Sequence, residues 1–487
     1  MKTSDLKILS DDEISRIQRH TLELLENTGI IVELKKMRNL LSDHGCAVDD
    51  FSKIVKFPAS MVERFVKKAP REFTLCGADA DKQWAISPET RVWSGLGTPF
   101  RMLDPKTGAR KDATLEDLRK HLIIFDYLDH ITGNQMDIWP QDIPMHTTHV
   151  EAIRAWAQNC TKTFGMGAYG VMATSDMMEM VSLVMGGSDK IEDKHPFCGI
   201  VSIHSPLSSA QIQLEGLMIL AENNMPALVS PEAMAGTTAP VTLGGLLLQH
   251  NAEIISHVVM AQVVNPGTPV LYGSVSTVAD MKAGTPALGS VETGMISAAS
   301  AQLAHSYDLP IRAVAGATES KVADVQCGFE REQSMTVAAM GGVNYITCVG
   351  TLESTNSGMH ELAVIDNEII ARVERALRGF EINDETLAID TIKRVGPGGN
   401  YLVEEHTLNY LRTEHFIPAV TDRDHIEVWE QSGKKNILDH AANEVNRILS
   451  EHRPRDLDPK LIDELDHFVN KVAARSEEDF LAAEWEN

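Results

Sequence analysis

The side chains able to do chemistry in this sequence are a few aromatic rings and a few acids and histidines set at recurring places. Aromatic residues are only 5% of the 487 positions, yet Trp93, Phe100, Trp139, Tyr169 and Tyr272 fall at or near the ends of segments that read as β-strands. The faces of Trp and Tyr attract cations through the ring quadrupole, which suits an ammonium group with no N–H to donate. Each is equally a candidate for packing, because large rings dominate cores. The polar candidates are His204, Glu232, Glu319, Glu353 and His360. His204 ends the run Ile200-Val-Ser-Ile-His204, where a satisfied core histidine is the competing reading. Glu232 follows Leu228-Val-Ser-Pro231 and either complements a cationic ligand or stands beside a helix start. Glu319 and Glu353 follow later strands in the same way. His360 is able to donate to a carboxylate or to open a helix.

Other chemistries have weaker support. His146-Thr-Thr-His149 with Glu151 nearby lacks the further Cys or His ligands of a closed zinc site and the His-Glu-x-x-His core of a catalytic one, so no metal is expected. Gly95-Leu96-Gly97 and Gly165-Met166-Gly167 are bare pairs, short of a phosphate-binding glycine loop. Lys321 is the one lysine placed for Schiff-base chemistry of an aldolase or decarboxylase type.

The elements that must position these residues alternate. Strands are expected at Val92–Gly95, Ile131–Ile138, Thr163–Ala168, Phe197–His204, Ala227–Ser230, Val270–Gly273, Ile311–Ala315 and Tyr345–Val349. Helices such as Thr148–Asn159, Ala210–Asn223, Thr242–Val264, Glu292–Tyr307 and Phe329–Met340 separate them, long enough for the crossovers that parallel strands require. The pattern is α/β, a (β/α)8 TIM barrel with N-terminal and C-terminal helical additions. A doubly wound open sheet is the alternative, and it would prefer a glycine-rich loop after its first strand. Residues 1–90 are expected to be a helical cap, opened by the capping box Ser10 to Glu13. Residues 91–365 are the expected barrel. Residues 366–487 are the expected C-terminal extension packed on it, with helices at Asn367–Phe380, Pro459–Ala473 and Glu477–Trp485.

Composition narrows the partners. A net charge of -25 argues against nucleic acid and anionic membranes, whose phosphates need a basic surface. Six scattered cysteines in so long a chain point to a reduced, cytoplasmic protein. No apolar run approaches a bilayer span, and the first 25 residues lack a signal-peptide core. A homo-oligomer is expected.

Four stretches carry a family resemblance. They are Asn251-Ala-Glu-Ile-Ile through Asn265-Pro-Gly-Thr-Pro-Val-Leu-Tyr-Gly-Ser274; Gly316-Ala-Thr-Glu-Ser-Lys-Val-Ala-Asp324; Ser357-Gly-Met-His-Glu-Leu-Ala-Val-Ile-Asp366; and Gly396-Pro-Gly-Gly-Asn-Tyr-Leu402 with His406, Thr407 and Trp429. In order and spacing the chain resembles the trimethylamine methyltransferase superfamily, specifically the non-pyrrolysine branch that includes glycine betaine:corrinoid methyltransferases. The resemblance implies methyl transfer from a small quaternary amine to Co(I) of a cobalamin-type corrinoid held by a cognate partner protein. The absence of pyrrolysine favours a quaternary substrate, most simply glycine betaine; proline betaine, carnitine and γ-butyrobetaine stay open. No corrinoid is expected on the chain itself: Asp193-Lys194-His195 is followed by Pro-Phe-Cys198 and misses the D-x-H-x-x-G pattern. A barrel that binds such amines without turnover, as a sensor or accessory protein, is the alternative. With a neutral tertiary amine as leaving group no proton donor is needed, so no acid–base residue is assigned.

Overall fold

The strands that build the centre of the molecule are short, and each begins with an apolar or aromatic residue. The computed structural model describes residues 6–95, 99–187 and 194–485; Leu96, Gly97 and Asp193 of the motifs above lie outside them. Strands Val92–Trp93, Phe164–Gly167, Phe197–Ile203, Ala227–Pro231, Val270–Ser274, Ile311–Val314 and Tyr345–Thr347 form one curled, all-parallel sheet of seven. The strands at Phe197–Ile203, Ala227–Pro231 and Val270–Ser274 are adjacent and parallel, in the registers Ser202↔Ser230 and Val229↔Tyr272. Helices of 12 to 22 residues at Thr148–Asn159, Val171–Met185, Gln211–Glu222, Leu243–Val264, Val291–Ser306 and Val325–Met340 precede successive strands. This repeat of strand, crossover and parallel strand is what coils the sheet.

The expected strand Ile131–Ile138 is not one. Only Gly133 bridges to its neighbours, to Ser94 on one side and Thr163 on the other, both parallel. Met136 adopts φ +53, outside extended backbone, and Gln135 N–H turns onto the Asp137 carboxylate at 3.2 Å. The fold is therefore TIM-barrel-like, with one irregular segment where an eighth regular strand was expected.

Side chains alternate across each strand. Toward the axis, Val92, Cys198, Leu228, Leu271 and Tyr345 form an apolar layer near the strand starts, together with Phe73, Leu75 and Ile86. The last three belong to the hairpin Phe73–Cys76/Gln83–Ile86, which plugs the N-terminal end of the sheet. Away from the axis, Val201, Val229, Val270, Ile311 and Ile346 face the helices within the main core.

The N-terminal region is less helical than expected. Helix Asp11–Asn27 opens with the Ser10–Glu13 capping box, Glu13 N–H donating to Ser10 Oγ at 3.3 Å and Ser10 N–H to Glu13 Oε2 at 2.8 Å. It is followed, however, by strands Ile30–Val32, Ala47–Asp49 and Ile54–Lys56, and later by the plugging hairpin. These strands are three or four residues long, too short for a period-2 pattern to stand out. At the other end, the helix expected at Asn367 begins at His360 and runs to Arg378, so a boundary at 365 would cut a continuous helix. The extension is tied down by Glu368, whose carboxylate accepts from the backbone N–H groups of Ala419, Val420 and Thr421 at 2.6, 2.6 and 3.1 Å. Helix Ile437–Glu451 lies against His360–Arg378, and Pro459–Ala473 against the two helices Thr148–Asn159 and Val171–Met185.

Candidate functional site

With one end plugged, the interior opens at the C-terminal ends of the strands, where loops rather than layers of side chains fill the space. A cavity of about 290 Å³ lies there. Its wall is built strand by strand: Gln135, Met136 and Trp139 from the irregular segment, Tyr169 from the loop after Phe164–Gly167, Ser202 from the third named strand, Ser230 from the fourth, and Glu232 from just beyond the fourth. Arg312 enters from Ile311–Val314, and Ser354 and Thr355 from the loop after the last strand. The positive φ of Met136 turns the chain so that Met136 and Trp139 both reach the cavity.

Three of the expected residues meet there. Trp139 and Tyr169 are half-buried and present ring surface to the cavity. The Tyr169 hydroxyl lies 3.2 Å from Ser202 Oγ, and the ring lies over Gly167, where any Cβ would collide with it. Glu232 is solvent-exposed at the cavity mouth, with protein packed around its other sides. That enclosure raises its carboxyl pKa; the charge of Arg312, a hydrogen bond to Ser202 and the charge of His204 pull in the opposite direction. Burial likewise raises the Tyr169 phenol, with Glu232 adding to the effect against the Ser202 hydrogen bond.

The other expected residues do not line the cavity. Trp93 and Tyr272 point outward because their strand neighbours Val92 and Leu271 point inward. Trp93 Nε1 donates to Glu374 at 3.1 Å, and the Tyr272 hydroxyl donates to Asn251 Oδ1 at 3.0 Å. Phe100 lies under the Arg101 guanidinium, 5.2 Å from the ring centroid. His204 is exposed beyond the end of its strand. Glu319 accepts from Ser354 Oγ at 2.5 Å and from Gly289 N–H at 2.7 Å, so it fixes a wall residue instead of facing the cavity. Glu353 pairs with Arg110 at 2.6 Å. His360 opens its helix half-buried, with both ring nitrogens shielded and its ring 5.8 Å from that of His121, and desolvation pushes its pKa down to about 3.

The alternatives also resolve. Gly165 is small because a Cβ there would sit 2.5 Å from the Cys198 carbonyl oxygen. Lys321 is exposed and donates to Glu319 O at 2.6 Å, away from the cavity. His149 pairs with Asp176 at 3.1 Å, and Asp176 also takes Arg475 from the C-terminal extension.

Arg312 is the residue sequence reasoning passed over. Its signal was present: a guanidinium between Ile311 and Ala313 in an otherwise apolar strand. Several motif residues prove to hold the frame. Asn251 Nδ2 donates to Thr21 Oγ1 at 2.8 Å, tying helix Leu243–Val264 to the buried face of helix Asp11–Asn27. Asp324 caps helix Val325–Met340, accepting from Cys327 N–H at 3.0 Å. Asp366 takes the fully buried Arg331 in a two-pronged pair.

Comparison with known proteins agrees with this frame. Residues 1–477 match the family described as trimethylamine methyltransferase (MTTB). The glycine betaine methyltransferase of Desulfitobacterium hafniense (strain Y51) is 31% identical over 466 residues, covering 95% of this chain and 96% of that protein. The trimethylamine methyltransferase MttB of Desulfitobacterium hafniense (strain DSM 10664 / DCB-2) is 31% identical over 463 residues, 95% of this chain and 93% of that one. Among solved structures, the hydroxylamine complex of MtmB superposes with a TM-score of 0.50 at 12% identity, over 90% of this chain and 93% of that one, a likeness of fold.

Proposed function

The chain belongs to the trimethylamine methyltransferase family, and from that premise we propose that it moves a methyl group from a small quaternary amine, glycine betaine first, to the corrinoid cobalt of a partner protein. The observation that carries this reading is the joint placement of Trp139, Tyr169 and Glu232 on one small cavity at the strand ends. A quaternary nitrogen has no N–H, so ring faces and a nearby carboxylate are the groups that suit it. The space is of the size that binds small molecules and much too small for a corrinoid macrocycle, which supports a cofactor brought to the mouth by a partner. The corrinoid, when present, supplies the Co(I) nucleophile. The chain's own residues bind the cation, exclude water and point one methyl outward. As the C–N bond breaks, its electron pair stays on nitrogen and a neutral tertiary amine leaves, so no side chain need deliver a proton.

Gly133, with its two bridges, serves in this reading as the eighth stave of a TIM barrel. Residues 1–90 form the cap, the barrel runs to the end of helix His360–Arg378, and the remainder is the extension. All six cysteines are buried and unpaired, which supports a reducing, cytoplasmic setting; no helix among the described residues is long and apolar enough to cross a membrane. Apolar side chains exposed along the extension, Phe380, Leu402 and Val403 among them, support self-association into a homo-oligomer.

The test is incubation with Co(I) cobalamin and a panel of quaternary and tertiary amines. Loss of the Co(I) absorbance together with appearance of the demethylated amine is expected for a quaternary substrate. Tight binding with no spectral change would instead establish an amine-binding protein without turnover.

A further inference from the structure

Two arginines are completely shielded from solvent, and they are satisfied very differently. Arg331 has its carboxylate, Asp366, and its Nη1 and Nη2 also donate to the carbonyls of Thr351 and Cys348 at 2.6 and 3.2 Å. Arg312 has no carboxylate within ion-pair distance among the described residues. Its Nη1 reaches Ser230 Oγ at 3.4 Å and its Nη2 reaches Gln135 Oε1 at 3.5 Å, both long for charged donors, and its Nε has no acceptor. Gln135 Nε2 beside it is also a buried donor without a partner. All three residues line the cavity. A buried charge left this loosely held is costly unless an anion completes it.

The two charged residues of the cavity lie at different depths along the axis. Arg312 is the second residue of its strand, whereas Glu232 and Tyr169 lie beyond the ends of theirs. The cavity thus has a cationic inner floor and an aromatic, acidic outer rim. Its charges, one of each sign, complement a zwitterion.

Resting on the methyl-transfer reading above, we propose that Arg312, Gln135 and Ser230 form a carboxylate subsite that restricts the substrate to betaines, with carboxylate inward and quaternary ammonium outward. The Arg312 Nε–H and Nη groups and the Gln135 amide donate to the carboxylate. Trp139, Tyr169 and Glu232 hold the ammonium end, which places an N-methyl toward the mouth from which a partner's cobalt must approach. A simple amine would leave the guanidinium unanswered.

Three probes separate the ends of the substrate: glycine betaine, tetramethylammonium (no carboxylate) and 3,3-dimethylbutanoate, in which carbon replaces the charged nitrogen. Methyl transfer to Co(I) cobalamin reports on the first two, and calorimetry of the full chain, with no cobalamin present, reports on the third. Wild type is expected to bind 3,3-dimethylbutanoate and to demethylate glycine betaine with kcat/KM at least about thirtyfold above that for tetramethylammonium. Arg312→Gln should abolish 3,3-dimethylbutanoate binding and lower kcat/KM for glycine betaine so far that the preference over tetramethylammonium collapses. Arg312→Lys, which keeps the charge but loses the fork, should be intermediate and guards against a folding defect in the glutamine variant. The subsite is overturned if wild type uses tetramethylammonium as well as glycine betaine, if it does not bind 3,3-dimethylbutanoate, or if Arg312→Gln depresses both substrates equally. Failure of wild type to demethylate either substrate would overturn the methyl-transfer reading instead, and calorimetry would still decide whether Arg312 binds a carboxylate.

Discussion

Gly167→Ala should weaken cation binding without unfolding the protein, and the reason is a single contact. A Cβ at position 167 would lie 2.8 Å from Cζ and 2.9 Å from Cδ2 of the Tyr169 ring, and closer still to Cε2. Carbon atoms rest at about 3.5 Å or more, so the ring must recede by well over half an ångström. It cannot do so and keep the 3.2 Å contact between its hydroxyl and Ser202 Oγ. The open cavity gives the displaced ring somewhere to go, and the backbone at Gly167 does not have the positive φ that would make alanine strained. The cost should therefore fall on the site. A well-placed, desolvated ring contributes on the order of 2 kcal/mol to cation binding, about thirtyfold in affinity. The assay is calorimetric titration with glycine betaine alongside thermal unfolding, with Gly165→Ala as the contrast. At Gly165 the clash is with the Cys198 backbone carbonyl at 2.5 Å, which no side-chain motion relieves, so that variant should lose stability instead. If Gly167→Ala binds like wild type, Tyr169 is not part of the cation site.

Trp139→Ala should reduce glycine betaine affinity at least about tenfold with little change in melting temperature, while Trp429→Ala, whose Nε1 donates to Lys435 O outside the cavity, should leave affinity unchanged. Glu232 has a carboxyl pKa raised by its enclosure, and a bound cation favours its ionised form. Substrate affinity should therefore fall as pH drops through that raised pKa, and Glu232→Gln should flatten the profile, as KM measured across pH will reveal; once substrate is saturating, the methyl-transfer step itself should vary little with pH near neutrality. Asp366→Ala strands the buried Arg331 and should cost roughly 3–5 kcal/mol of stability, read by denaturant unfolding, whereas an equally folded variant would show the pair to be dispensable.

Much of the frame was legible in the chain, for identifiable reasons. Helix Thr148–Asn159 and the C-terminal helices Pro459–Ala473 and Glu477–Trp485 lie where their sequence patterns place them. Seven of the expected strands appear within a few residues of their places, because runs such as Phe197–Ile203 are apolar, short and bounded by breakers. Local signals, caps and breakers among them, act within a few residues of chain, and so the sequence by itself determined the order of elements and the parallel connectivity. It also put Tyr169 and Glu232 just past strand ends, which in such a sheet is enough to bring them to one mouth, whereas Trp139 joins them from the irregular segment.

What only the tertiary structure decided is direction. Whether a strand residue faces the axis or the helices depends on the pairing register. Trp93 and Tyr272 read as site residues yet face outward, while Arg312 reads as an oddity in an apolar strand yet faces in. A shift of one residue reverses every such assignment, and nothing in a strand of four residues reports its register without its neighbours. The segment around Met136 shows the same limit: its apolar run looks extended, but its turn is set by Asp137 folding back on Gln135 and by the two flanking strands. Partners far apart in sequence made the remaining choices, Asp366 with Arg331 and Glu368 with residues 419–421. A buried charge must find a counterpart in space, and only the folded chain brings the two together.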